Sequence, residues 1–242
     1  MQEVLEKTLS KILKKPTKIF GCGRTDSGVH ASQFFFHVDI EQEWNFDLFF
    51  RWNRILPEDI AIFDIMALEG LPHARFDAVL RTYDYFIHTY KDPFLSNNSG
   101  LYLFPNLNVN EMKRAVTLLP EYNDYRAYCK SPDKNEHTIC NVSSASLLTN
   151  STGTRIRFQI SSNRFLGRMI RILTRKLIEI GTGTLSVDEF ESHLISKQTP
   201  ALILPAHPQG LYLSKVTYPF LDLPVKGDFV VDATSKNFWK EV

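Results

Sequence analysis

The sequence predicts an α+β fold built as two sandwich-like halves, residues 1–77 and 78–242. Three observations lead there. Segments with strand and helix periodicity are interleaved in both halves instead of being segregated. Hydrophobic residues make up 43% of the 242 and aromatics 12%, which is enough for a sizeable core. No short repeat or low-complexity tract breaks the pattern.

The elements follow in order. Val4, Leu5, Leu9, Ile12 and Leu13 recur at helical spacing, and Lys14, Lys15 and Pro16 close that helix. "TKIFGCG" (17–23) reads as a strand, residues 24–30 as a loop, and "SQFFFHVDI" (32–40) as a second strand. Residues 46–54 read as a short helix and "AIFDIMAL" (61–68) as a further strand. In the second half "RTYDYFIHTY" (81–90) alternates as a strand does. "NVNEMKRAVTLLP" is a helix with Asn108 or Asn110 as N-cap. "NVSSASLLT" and "TRIRFQISS" pair as a hairpin around "NSTGT", and a long helix runs from about Asn163 to Ile180, ending at Gly181. "GLYLSKVTY" (210–218) is a late strand.

Lys and Arg total 28 against 27 Asp and Glu, so overall charge says nothing about a polyanionic partner. Cys22, Cys129 and Cys140 lack any C-x-x-C spacing, which argues against a disulfide framework and a zinc site and for reduced thiols. No stretch approaches the roughly 20 apolar residues of a membrane span, and the amphipathic start carries Glu3 and Glu6 where a signal peptide would be basic and then apolar. The expectation is a soluble cytoplasmic protein.

Chemistry points to two places. Arg164, Arg168, Arg171 and Arg175 fall at i, i+4, i+7 and i+11, and the seven basic residues from Arg155 to Lys176 meet no acidic one. Like charges at that spacing repel, so the stripe suggests an anionic partner, with RNA the commonest of the extended kind; a solvated face paired with carboxylates elsewhere is the alternative. The second place is "GCGRTDSG" (21–28). Its glycines miss the G-x-G-x-x-G spacing and no P-loop lysine follows. His30 and His37 straddle a strand and make a poor metal pair, and Ser27 lacks the strand–turn–helix setting of a nucleophile elbow. By composition alone Asp26 is a turn residue capping local amides.

"GRTDSGVHA" (23–31) resembles the signature run G-R-T-D-A-G-V-H-A of the tRNA pseudouridine synthase A family. Five further blocks follow in order: "WNRILPEDI", "HARFDA", "RTYDYFI", "FLGRMIRILTRKLIEIG" and "PQGLYLSKVTYP". The resemblance implies two ferredoxin-like α/β halves related by a pseudo-twofold, with a central cleft between them. It implies isomerisation of uridine to pseudouridine in the tRNA anticodon stem-loop, at positions 38 to 40, on a base extruded from its stack. It implies no cofactor and no metal, and a homodimer. Asp26 would be the catalytic carboxylate, Arg171 its ion-pair partner, and Tyr83 the ring that stacks on the flipped base and assists proton transfer. Arg24 would displace or hold the target nucleotide, with Arg164 and Arg168 along the RNA. An RNA-binding protein of weak catalysis, or the same chemistry on other uridines, are the alternative readings. The chain begins at "MQEVLEKTLS", past the family's usual first strand and G-W-Q loop; the two readings are a start codon assigned too late and a truncated, impaired copy, and the first is the expectation. Ser27, Gly167, Arg168 and Arg175 depart from the usual pattern without removing any of these groups.

Overall fold

The computed structural model describes residues 1–41, 43–104, 106–200, 203–224 and 239–242. Its first helix, α1 (Gln2–Leu13), buries Leu5, Leu9 and Leu13, one apolar line at i, i+4, i+8, and ends where Lys14 turns left-handed at φ 54°. The strands β1 (Phe20–Gly21) and β3 (Phe36–His37) form an antiparallel pair, and between them β2 (His30–Ala31) leaves for a different sheet. Helix α2 (Leu48–Ile55) starts on the Asp47 carboxylate, which accepts from Phe50 N at 2.8 Å. It packs on α1 through Trp52, whose indole N–H donates to Thr8 Oγ1 at 2.9 Å. Ile19, Leu48 and Ile62 complete this small core.

The described residues from Leu80 onward build one larger layered unit, which β2 joins. Its elements are β4 (Leu80–His88), β5 (Gly100–Leu101), α3 (Val109–Leu118), β6 (Val142–Thr149), β7 (Arg155–Ser162), α4 (Met169–Gly181), α5 (Val187–Ser196), β8 (Leu211–Thr217) and β9 (Lys240–Glu241). The sheet runs β2-β8-β4-β7-β6-β9, with β5 also paired to the end of β4. Only β2 and β5 run parallel to their neighbours. Tyr85, Ile87, Leu147, Ile156, Phe158 and Ile160 face α3, α4 and α5, where Met112, Val116, Leu173, Leu177 and Phe190 meet them. On the opposite face Phe86, Tyr212 and Trp239 pack together. With both faces covered, β4 is buried continuously from Asp84 to His88.

The mixed α+β class, the hairpin of β6 and β7, and helices α1, α2 and α3 match the sequence reading; Asn108 is the α3 cap, accepting from Glu111 N at 3.2 Å. Four expectations are corrected. The strands expected over 17–23 and 32–40 shrink to two residues each, because the first half offers them only one another to pair with. Residues 61–68 take no place in either sheet, and Ile65, Met66 and Leu68 are exposed. Alternation gives a segment one apolar face, but a ladder also needs a neighbour at hydrogen-bonding distance. The long helix starts at Met169, not Asn163, since Arg168 adopts φ 62° and breaks the αR run. Helix α5 went unread, although Ser186 and Glu189 stand at capping-box spacing and the Ser186 hydroxyl accepts from Glu189 N at 3.1 Å.

Candidate active site

Asp26 sits in the turn between β1 and β2. Val29 N donates to Asp26 O at 3.2 Å to close it, and Gly28 follows at φ +77°, a conformation side chains resist. A Cβ on Gly28 would also lie 3.2 Å from Pro208 Cγ, so the turn is pressed against the 206–208 segment. Just past the turn, His30 and Ala31 pair in parallel with Tyr212 and Leu213 of β8. His30 stacks on Tyr212 at 4.7 Å and its Nε2 lies 2.8 Å from Asn97 O. The loop of the first half is thereby stitched into the sheet of the second.

Helix α4 brings the partner cation. Arg171 stands in its first turn, nearly buried at 9% exposure. Nε donates to Ala206 O at 2.7 Å, Nη1 donates to Asp26 Oδ2 at 2.5 Å, and Ala206 N donates back to Arg171 O at 2.8 Å. Tyr85 holds the same segment, its hydroxyl donating to His207 O at 2.7 Å. Arg168, left-handed just before the helix, places Nε 3.8 Å from the same Asp26 Oδ2. Both guanidiniums address one oxygen. Among the described residues no hydrogen bond reaches Oδ1, and the side chain keeps 35% of its surface exposed.

Tyr83 projects from β4, between Ile160 of β7 and Leu213 of β8. Its half-buried ring meets Phe165 edge-on at 5.2 Å, and its hydroxyl makes no hydrogen bond among the described residues. Burial pushes its pKa up to about 12, and the negative charges of Cys22 and Asp26 add to the rise while Arg81 opposes it. Burial likewise pushes the Cys22 thiol up to about 11.

The arginines expected on one helix face have separate fates. Arg164 and Arg168 precede α4, and Arg164 Nη1 lies 2.9 Å from His137 Nε2. Arg175 Nε pairs with Glu179 at 3.1 Å, so the helix carries no unrelieved stripe. Arg24 is exposed and has no ion pair among the described residues. The structure therefore brings Asp26, Arg168, Arg171 and Tyr83 into one place, while Arg164 pairs with His137 and Arg24 makes no ion pair to this group among the described residues. Sequence reasoning missed the 206–208 strap; its only local signal is "PAHP", two prolines that stiffen a loop. Among the described residues no three His, Cys, Asp or Glu side chains gather as a metal group, and no helix is long and apolar enough to cross a membrane.

A family model described as tRNA pseudouridine synthase matches residues 122–219. The chain is 33% identical over 224 residues to tRNA pseudouridine synthase A of Porphyromonas gingivalis, covering 90% of this chain and 88% of that protein. It is 36% identical to the Bacteroides fragilis protein of the same name and 37% identical to that of Azobacteroides pseudotrichonymphae, each over 90% of this chain and 87% of the relative. The chain belongs to the tRNA pseudouridine synthase A family. Membership in this family of isomerases gives the open carboxylate a chemical context that its turn geometry lacks. The family model spans Arg164, Arg168 and Arg171 but neither Asp26 nor Tyr83; the relatives match over 90% of the chain, and the Arg171–Asp26 hydrogen bond joins the two segments in space.

Proposed function

We propose that this protein isomerises uridine to pseudouridine in tRNA, in the anticodon stem-loop, with Asp26 as the catalytic carboxylate. The observation that carries this reading is the asymmetry at Asp26: two arginines on Oδ2 and an open Oδ1. An oxygen free of donors can approach the C1′ of an extruded nucleoside, as a nucleophile or as a charge beside an oxocarbenium-like centre. The C1′–N1 bond breaks with its electron pair leaving on the uracil. The ring turns, C5 forms the new bond to C1′, the C5 proton leaves and N1, which kept the electron pair of the broken bond, gains a proton, so the product is an isomer of the reactant. Arg171, fixed by Ala206, keeps the carboxylate aimed through that sequence. Tyr83 stacks against the base, and its phenol, protonated at neutral pH, donates a hydrogen bond to it. Arg24 and Arg164 contact the RNA outside the pocket, Arg24 where the target nucleotide leaves its stack.

Under the same reading the two halves are ferredoxin-like, related by a pseudo-twofold, and meet at the cleft that holds Asp26. The cluster around α1 and α2 and the cluster under the large sheet support the division near residue 78, and a third cluster of Cys22, Ala74, Leu213 and Val216 lies where the halves meet. The protein works as a cytoplasmic homodimer without cofactor, which light scattering on the purified protein tests for oligomeric state. The decisive experiment incubates unmodified tRNA with the protein and maps pseudouridine by carbodiimide-stop sequencing. Stops in the anticodon arm that vanish with Asp26→Ala are expected; stops that persist in that variant would refute the role of Asp26.

A further inference from the structure

Arg81 opens the strand that carries Tyr83, yet the reaction above gives it no part. Both of its terminal nitrogens are engaged. Nη1 donates to Ala78 O at 3.3 Å and Asn163 O at 3.0 Å, and Nη2 donates to Cys22 O at 3.0 Å and Arg75 O at 2.8 Å. No carboxylate pairs with it among the described residues. Four donors of one planar fork thus end on backbone carbonyls from four places in the chain.

Two of those carbonyls matter for the site. Cys22 lies four residues before Asp26, is itself buried, and its N donates to Phe35 O at 2.8 Å. Between Cys22 and Gly28 the backbone has no other long-range hydrogen bond among the described residues, while past Gly28 it is stitched to β8. Arg81 therefore anchors the near end of the Asp26 turn together with the Cys22 N–Phe35 O bond, as β8 anchors the far end. Asn163 begins the segment that leads into α4. Its side-chain carbonyl accepts from Asn141 N and Arg164 N at 2.8 and 2.9 Å, and its backbone carbonyl goes to Arg81. One side chain thus references the loop bearing the carboxylate and the segment bearing its cations to the strand bearing Tyr83.

We propose that Arg81 is a positioning residue, a clamp that sets the Asp26 turn against α4 and Tyr83; the proposal rests on the catalytic reading of Asp26 given above. The role depends on the fork and not on the charge. A lysine ammonium keeps the charge, but its compact head cannot span carbonyls arriving from several directions. Misplacing a reacting group by about 1 Å costs up to roughly a hundredfold in rate. A phosphate contact would behave oppositely, since lysine serves it nearly as well and its removal lowers the salt dependence of binding.

The test compares wild type, Arg81→Lys and Arg81→Ala on unmodified tRNA, with hydrogen exchange on the free proteins. Arg81→Lys should lose roughly tenfold or more in kcat, with tRNA affinity and its salt slope unchanged, and methylguanidinium should restore part of the turnover of Arg81→Ala. In both variants the hydrogen-bonded amides of Cys22 and Val29 at the ends of the turn should exchange roughly tenfold faster while β6 and β7 keep their protection. Wild-type turnover in Arg81→Lys, a weakened affinity with a shallower salt slope, or unchanged exchange at Cys22 and Val29 would each overturn the clamp. If Arg81→Ala does not fold, Arg81→Lys carries the comparison. An inactive wild type would count against the proposed function, while exchange at Cys22 and Val29 would still decide the clamp.

Discussion

Two aspartate–arginine pairs in this molecule differ in how their carboxylates are filled, and the proposed role of Asp26 rests on that difference. Asp84 points to the face of β4 opposite Tyr83, is 1% exposed, and has both oxygens satisfied. Arg157 Nε and Gln159 Nε2 donate to Oδ1 at 2.7 and 3.0 Å, and the Ser214 hydroxyl donates to Oδ2. Asp26 also has a close arginine, but its partners crowd one oxygen and leave the other to the solvent. A saturated carboxylate is held by everything around it and can bond nothing new. An exposed one keeps an oxygen that a substrate can reach, and the proposed function uses Oδ1 of Asp26 in that way. Ion pairing alone does not mark an active site.

The largest test of this contrast is Asp26→Asn, which should cut turnover on tRNA by roughly a thousandfold or more and shift the melting temperature little, since the amide oxygen can still accept from Arg171. A stable variant with normal turnover would dissolve the distinction. Asp84→Asn should do the reverse. Breaking a buried pair costs about 3–5 kcal/mol, a fall in melting temperature of roughly 10 °C for a chain of this size, with turnover per folded molecule retained. Calorimetry and single-turnover assays on both variants decide it. Next in size, Tyr83→Phe keeps the ring and should lower kcat roughly a hundredfold without weakening tRNA binding; equal rates would reduce Tyr83 to a stacking surface.

Alkaline titration sharpens the comparison further. The Tyr83 hydroxyl has its pKa raised from 10.0 to about 12 by burial. A raised folded value means that its contribution is fully present below pH 10 and is lost as pH climbs from 10 to 12, because there the unfolded chain ionises first. Stability measured by denaturant should therefore fall more steeply over that window in wild type than in Tyr83→Phe, and parallel curves would show the ring to be more solvated than the fold implies. The smallest effect is expected outside the pocket: Arg164→Ala should weaken tRNA affinity several-fold and reduce the salt slope by about one, and an unchanged slope would place Arg164 off the RNA.

By itself the sequence determined what is local. Helices α1 and α3 and the β6–β7 hairpin were legible because apolar spacing, caps and turn residues act within a few positions. Helix α5 was equally legible in its Ser186–Glu189 box and was overlooked. Asp26 and Arg171 could be singled out only through a resemblance, since composition reads the first as a turn residue and the second as one of four arginines in a row. Tertiary structure decided the rest. It set Arg171 against Asp26 across 145 positions of sequence and turned Arg168 left-handed. It also left residues 61–68 out of either sheet. Each of these depends on partners far along the chain, and no periodicity encodes which oxygen of a carboxylate a distant guanidinium will take.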